Sequence, residues 1–192
     1  MAQPNAAILE SYLKTFMIDA EHSRIRIGNH EVAFHCDKFN TRIIKGLEDV
    51  IGVADSYKLL VASAEKATLQ MFSDFLVSEI KPQFDALSPE DKFTTLVEIG
   101  KLLGYGALNA SRISDKGGEF SSPSSYLAEG WLENQTRWNW KQRTDPVCYD
   151  MCGFIAGVLS IVYGKPAGTY KVTEMECRSK GDSVCNFKAE VK

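Results

Sequence analysis

The chain is predicted to be an α+β protein, an antiparallel β-sheet with helices packed against it. Three observations predict this class. Strand-like alternation occurs near the start, in the middle and at the end of the 192 residues, helical periodicity fills the intervals, and the final strands read as a hairpin.

Taken in order, residues 5–19 set Ile8, Leu9, Tyr12, Leu13 and Phe16 on one helical stripe. Arg24-Ile25-Arg26-Ile27 and His30-Glu31-Val32-Ala33-Phe34 then alternate around Gly28-Asn29, the signal of a two-residue hairpin, which leaves His22 and His30 as exposed hairpin residues. Helical spacing returns at about 39–52. Asp55 or Ser56 caps a further helix predicted to run to about Ile80, with Pro82 as its stop. Ser88-Pro89-Glu90-Asp91 combines a capping serine, a proline at the first helical position and carboxylates in the first turn, so a helix opens there and ends at Gly104-Tyr105-Gly106. Residues 106–113 and 118–122, joined by Asp115-Lys116-Gly117-Gly118, form the second predicted hairpin, and Tyr126 to Gln135 a short helix. Asp145-Pro146 opens a helix over about 147–163, closed by Gly164 and Pro166. Within it Gly153 and Gly157 place small residues four apart, a pattern read as close packing on a sheet. Residues 169–190 form the last hairpin.

The length fits a single domain over 1–192, with a mainly helical part at 1–105 and a sheet part at 106–192. Net charge is −3 and the charges are interspersed, so no footprint for nucleic acid is visible. No apolar run reaches the length of a membrane span, and Met1-Ala2-Gln3-Pro4-Asn5 lacks the pattern of a secretory leader, so a cytoplasmic location is expected.

The chemistry lies in the cysteines. Cys177 and Cys185 stand four residues either side of Gly181, so a turn at Lys180-Gly181-Asp182 makes them cross-strand neighbours able to share a metal. Glu174 sits three residues before Cys177, and Cys148 and Cys152 begin the apolar helix upstream. Two or more of these complete a tetrahedral set for zinc, which accepts thiolate and carboxylate. A disulfide between Cys177 and Cys185, or inert buried thiols, are the competing readings. The count of five cysteines is odd, and in a reducing compartment clustered thiols favour a metal. Cys148 is expected in the first turn of its helix, where the dipole favours a thiolate.

From Ser124 onward the chain resembles the 4-vinyl-reductase domain family of hydrocarbon-binding proteins. The resemblance rests on Ser125-Tyr126-Leu127-Ala128-Glu129-Gly130, Pro146-Val147-Cys148, Gly153-Phe154-Ile155-Ala156-Gly157, Gly164-Lys165-Pro166, and Glu174-Met175-Glu176-Cys177 through Gly181 to Cys185-Asn186-Phe187. It spans about 124–190 and implies the fold shared by nitric oxide sensors and Golgi tethering subunits, usually dimeric through N-terminal helices. It also implies, from aromatic-responsive regulators, a structural Zn²⁺ held by Cys148, Glu174, Cys177 and Cys185. Two departures stand out. The stretch from Cys148 to Cys177 is about three residues longer than usual for the family, the extra length falling near Ala167-Gly168-Thr169-Tyr170. Cys152 is an extra thiol that in place of Glu174 would make an all-cysteine site for zinc or an iron–sulfur cluster.

In the sensor relatives a small aromatic molecule sits in an apolar pocket between helices and sheet, contacted by a tryptophan and a histidine. The resemblance implies Trp131, one residue off the family position, and His35 for those contacts, with Tyr126, Tyr149 and Phe154 lining the cavity. For each of these the competing reading is ordinary core or structural packing. The segment Trp131 to Arg143, with three tryptophans among basic groups, reads as a partner interface or a lid over the pocket. The expected function is a zinc-stabilised sensing module for a small hydrophobic or aromatic ligand, homodimeric and acting through a protein partner. An enzyme or accessory of tetrapyrrole metabolism and a purely structural dimerisation module are the alternatives. No dinucleotide fingerprint, flavin motif or acid–base pair appears, so no catalytic residue is assigned.

Overall fold

Two helices of the chain begin at side chains that accept from their first amides, Asn5 from Ile8 and Ser88 from Asp91. The computed structural model describes residues 3–77 and 80–192. Seven α-helices and seven strands occur among them, as α1 (Ala6–Leu13), β1 (Phe16–Asp19), β2 (Arg24–Ile27), β3 (His30–Val32), α2 (Asp37–Ile51), α3 (Val53–Phe75), α4 (Ile80–Asp85), α5 (Pro89–Leu102), β4 (Asn109–Ser114), β5 (Gly117–Ser122), α6 (Tyr126–Trp138), α7 (Tyr149–Tyr163), β6 (Tyr170–Glu176) and β7 (Cys185–Val191). The Ser88 side chain accepts from the Asp91 amide at the start of α5, as its capping pattern predicts. Helix α7 is buried on nearly every side from Tyr149 to Val162 and ends at Gly164 in the left-handed region, φ 63°.

Two sheets result. One has three antiparallel strands in the order β1-β2-β3, and the other four in the order β4-β5-β7-β6. The second joins two hairpins side by side through the β5–β7 ladder, with Phe120 opposite Phe187. Helix α7 lies between this sheet and α3, packing on both. Gly153 and Gly157 face α3 rather than the sheet. A Cβ on Gly153 would come within 2.5 Å of the Ala64 Cβ and the Val61 carbonyl oxygen, and one on Gly157 within 2.8 Å of Thr68. The predicted small-residue approach is therefore made, but to a helix.

Three element readings change. The helical stripe over 5–19 breaks after Lys14, because Phe16–Asp19 gains a full ladder with β2, Phe16 opposite Ile27 and Asp19 opposite Arg24. Pairing outweighs local propensity there. Helix α3 starts two residues before Asp55 and ends at Phe75, while residues 78 and 79, inside the helix predicted to reach Ile80, lie outside the described residues, as do 1 and 2. Pro82 does not stop a helix but sits in the first turn of α4, where its missing amide costs nothing. The last hairpin turns through a short 3₁₀ segment, Arg178–Lys180, with Gly181 at φ 105°.

Candidate functional site

Strand geometry alone would separate Glu174 from Cys177. Side chains three apart on a regular strand point to opposite faces. The register changes between Glu174, opposite Phe187, and Glu176, opposite Asn186, so Met175 is the extra residue of a β-bulge. Met175 and Glu176 both face solvent, and Glu174 and Cys177 are both buried. The Glu-x-x-Cys spacing is thus a bulged strand that turns carboxylate and thiol the same way. Cys177 and Cys185 fall one position beyond the Glu176–Asn186 pair, and the Asp182 carboxylate accepts from the Cys177 amide at 2.8 Å to hold the turn.

Cys148 meets them from α7. It occupies the N-cap position rather than the first turn, with φ −79° and ψ 55°. Its Sγ lies 3.6 Å from that of Cys185 and 3.9 Å from that of Cys177. Ligand atoms of Cys148, Glu174, Cys177 and Cys185 all lie within 4.8 Å of one another, and all four residues are buried. These sulfurs are too far apart for the ~2.05 Å bond of a disulfide, and all five cysteines are free. Thiolates bound about 2.3 Å from one tetrahedral Zn²⁺ stand about 3.8 Å apart, the spacing found.

The polar surroundings fit a cation. The Cys148 amide donates to Glu174 Oε2 at 2.9 Å, while Glu174 Oε1 is buried with no hydrogen-bond partner. Ser125 Oγ donates to Cys148 Sγ at 3.0 Å, and the Arg178 amide to Cys185 Sγ at 3.4 Å. Burial, then the neighbouring Cys177, pushes the Glu174 carboxyl up to about 9, and burial raises the Cys148 thiol. Cys177, receiving hydrogen bonds from the Cys148 and then the Cys185 thiol, is pulled down. Several anionic ligands gathered in one buried pocket require a cation among them. Cys152 is buried but outside the four-atom cluster, with burial raising its thiol.

A second feature adjoins the cluster. A cavity of about 660 Å³ opens between β2, β3, α3 and the turn after α5, within the usual size of small-molecule sites. Its walls include Tyr12, Phe34, Met71, Leu103, Tyr105 and Tyr126, with His30, His35, Asn40 and Asp150 as polar members. Tyr126 donates to the His35 carbonyl at 2.8 Å and accepts from Asn40 Nδ2 at 3.0 Å. Burial pushes the Asp150 carboxyl up to about 7. His30 is half-buried here, 3.2 Å from the Asp74 carboxylate, rather than an exposed hairpin residue.

Of the five residues implied for ligand contact, His35 and Tyr126 line this cavity and the other three lie elsewhere. Phe154 stacks behind Tyr105, ring centres 5.1 Å apart. Tyr149 donates to Glu48 at 2.5 Å and accepts from Arg143 at 3.1 Å. Trp131 packs edge-on to Trp140 at 4.7 Å, with the Arg143 guanidinium 4.2 Å over its ring. The tryptophan segment lies on α2, where Arg42 covers Trp138, and it does not close over the cavity. Tyr12, Tyr105, His30 and Asp150 carry no signal in the sequence that marks them for this wall. They come from separate elements without a shared motif, and only the position of Asp150 beside Cys148 hints at a role.

The geometry and the comparisons agree. Residues 129–191 match the model of the 4-vinyl-reductase domain, the family read above from the motifs of the same region. No curated protein matches the chain. Among solved structures, the chain is similar to the phenol-responsive sensory domain of the transcription activator PoxR with phenol, at 15% identity and TM-score 0.75, covering 97% of this chain and 91% of that one. It is also similar to trafficking protein particle complex subunit 3 from Naegleria fowleri, covalently bound to palmitic acid, at 14% identity and TM-score 0.50, covering 81% and 95%. At these identities the likeness establishes the fold, the α+β architecture expected from the sequence.

Proposed function

We propose that this chain is a sensing domain that holds a small hydrophobic or aromatic molecule in the 660 Å³ cavity and is locked by a structural Zn²⁺ on Cys148, Glu174, Cys177 and Cys185. The observation that carries the reading is adjacency. Cys148 reaches the thiol cluster and Asp150, two residues later, reaches the cavity wall, so both sites meet at the start of α7. When bound, zinc supplies a tetrahedral cross-link and cancels the charge of its ligands; four protein ligands leave it no open position for substrate. Glu174 and Cys177 tie the bulged end of β6 to it, Cys185 the start of β7, and Cys148 the head of α7. His35 and Tyr126 are proposed to touch the ligand directly. Phe154, Tyr149 and Trp131 are proposed to act from behind the wall.

The likeness to a phenol-responsive sensory domain supports this reading of the cavity. The chain is further proposed to work in the cytoplasm, consistent with five free thiols. No helix among the described residues is long and apolar enough to cross a membrane. A homodimer and a protein partner complete the proposal, supported by the exposed apolar row Phe16, Met17 and Ile18 on β1. Metal analysis of the purified protein is expected to find one zinc per chain, and calorimetry with phenol or toluene to show saturable binding. Metal-free protein that melts unchanged with added zinc would overturn the clamp, and absence of binding by any apolar probe would overturn the sensing role.

A further inference from the structure

The cavity has an uneven charge. Asp150 is the carboxylate in its wall, and no lysine or arginine lines it. Asp150 makes no ion pair among the described residues, and its side-chain hydrogen bond runs from the Met151 amide to Oδ1 at 2.7 Å. Around this carboxylate the wall is aromatic, from Tyr12, Tyr105, Tyr126 and Phe34. The hydroxyls of two of these rings are engaged elsewhere, Tyr12 with the Met71 sulfur at 3.8 Å and Tyr126 with the His35 carbonyl, so these two offer a guest their ring faces. Of the two histidines in the wall, His30 stands beside the Asp74 carboxylate at 3.2 Å, and His35 lies edge-on to Phe39, ring centres 4.6 Å apart.

A carboxylate within aromatic walls and without a competing cation is the arrangement that recognises an organic ammonium group. We infer that the cavity selects a small amine, with an apolar or aromatic body among the tyrosines and its ammonium nitrogen on Asp150, and that it rejects carboxylic acids. This inference rests on the reading of the cavity as a ligand site. An anionic guest brings a second carboxylate against Asp150 with no basic side chain in the described wall to offset it, and a neutral hydrocarbon offers that carboxyl no hydrogen bond.

The test compares benzylamine, toluene and benzoate on the zinc-loaded protein, by calorimetry at one pH and ionic strength. Benzylamine is expected to bind at least about tenfold more tightly than toluene, the gain of one charge-assisted hydrogen bond, with benzoate the weakest. Asp150→Asn is expected to cut the benzylamine-to-toluene affinity ratio by about tenfold with zinc content unchanged. Because the three-ligand comparison needs only the natural protein, a variant that fails to fold leaves the test intact. If toluene binds and benzylamine shows no advantage, or benzoate binds as well, the amine inference is overturned while the ligand site stands. If none of the three binds, the cavity reading and the inference fall together.

Discussion

The two ends of the molecule are built on different principles. The C-terminal end converges on a cluster in which every thiol and the carboxylate are buried and held by named donors. The N-terminal sheet, β1 to β3, is three short strands whose first presents Phe16, Met17 and Ile18 to the outside. Both ends matter to the cavity, since β2 and β3 form one wall and the head of α7 another. One wall adjoins the buried cluster of three thiols and a carboxylate and the other is a small antiparallel ribbon, so response to a guest is expected in the ribbon. Short sheets of this kind are among the first parts of a protein to open.

Mutations at the two ends should therefore differ sharply. Cys177→Ser is expected to have the largest effect, loss of the metal and a destabilisation of roughly 4 kcal/mol or more, read as a fall of about 8–16 °C in Tm and zinc below stoichiometry. Unchanged melting and metal content would show that the two ends are not held differently after all. Glu48→Leu comes next. It strips the partner from the buried Arg143, whose guanidinium binds both Glu48 oxygens at 2.8 and 2.9 Å, at an expected cost of about 3–5 kcal/mol in denaturant unfolding. Arg143 also donates its backbone amide to Ser179 in the cysteine hairpin, so zinc content in this variant is expected to measure how far the α2 anchor supports the proposed clamp.

Gly153→Ala is milder. Its methyl group would press on Ala64 and the Val61 carbonyl between α3 and α7, with an expected loss of about 1–3 kcal/mol by thermal melting and no change in zinc. Ile18→Lys should be smallest, within about 0.5 kcal/mol in the monomer, because Ile18 is 68% exposed. Sedimentation of this variant sharpens the comparison. A dimer that falls apart assigns the outward row of β1 to subunit contact, and an unchanged assembly state removes β1 from that role.

The C-terminal end was the more legible because its chemistry is written in residue type. Cysteines and a glutamate at fixed spacing single out Cys148, Cys152, Glu174, Cys177 and Cys185, the resemblance implies the set without Cys152, and the structure gathers those four. What spacing could not show is how they converge. Glu174 and Cys177 look out of phase on a strand until the Met175 bulge is known, and a bulge is decided by the partner strand. The cavity was less legible still, because Tyr12, His30, Tyr105 and Asp150 are brought together by chain topology. The same limit explains the N-terminal error. Phe16 continues the helical stripe of Ile8 and Tyr12, and only the ladder to β2 reveals that it belongs to a sheet. Likewise the small side of α7 at Gly153 and Gly157 announced a close neighbour without saying whether it was strand or helix.

The head of α7 also divides two kinds of chemistry. At the N-cap Cys148 turns to the sulfur cluster, while Asp150, in the first turn of the helix, turns to the cavity. On the proposed reading, one short stretch of backbone separates the metal's place from the guest's. The two share no donor atoms, so each is expected to load without displacing the other, and a shift of that stretch is expected to reach both.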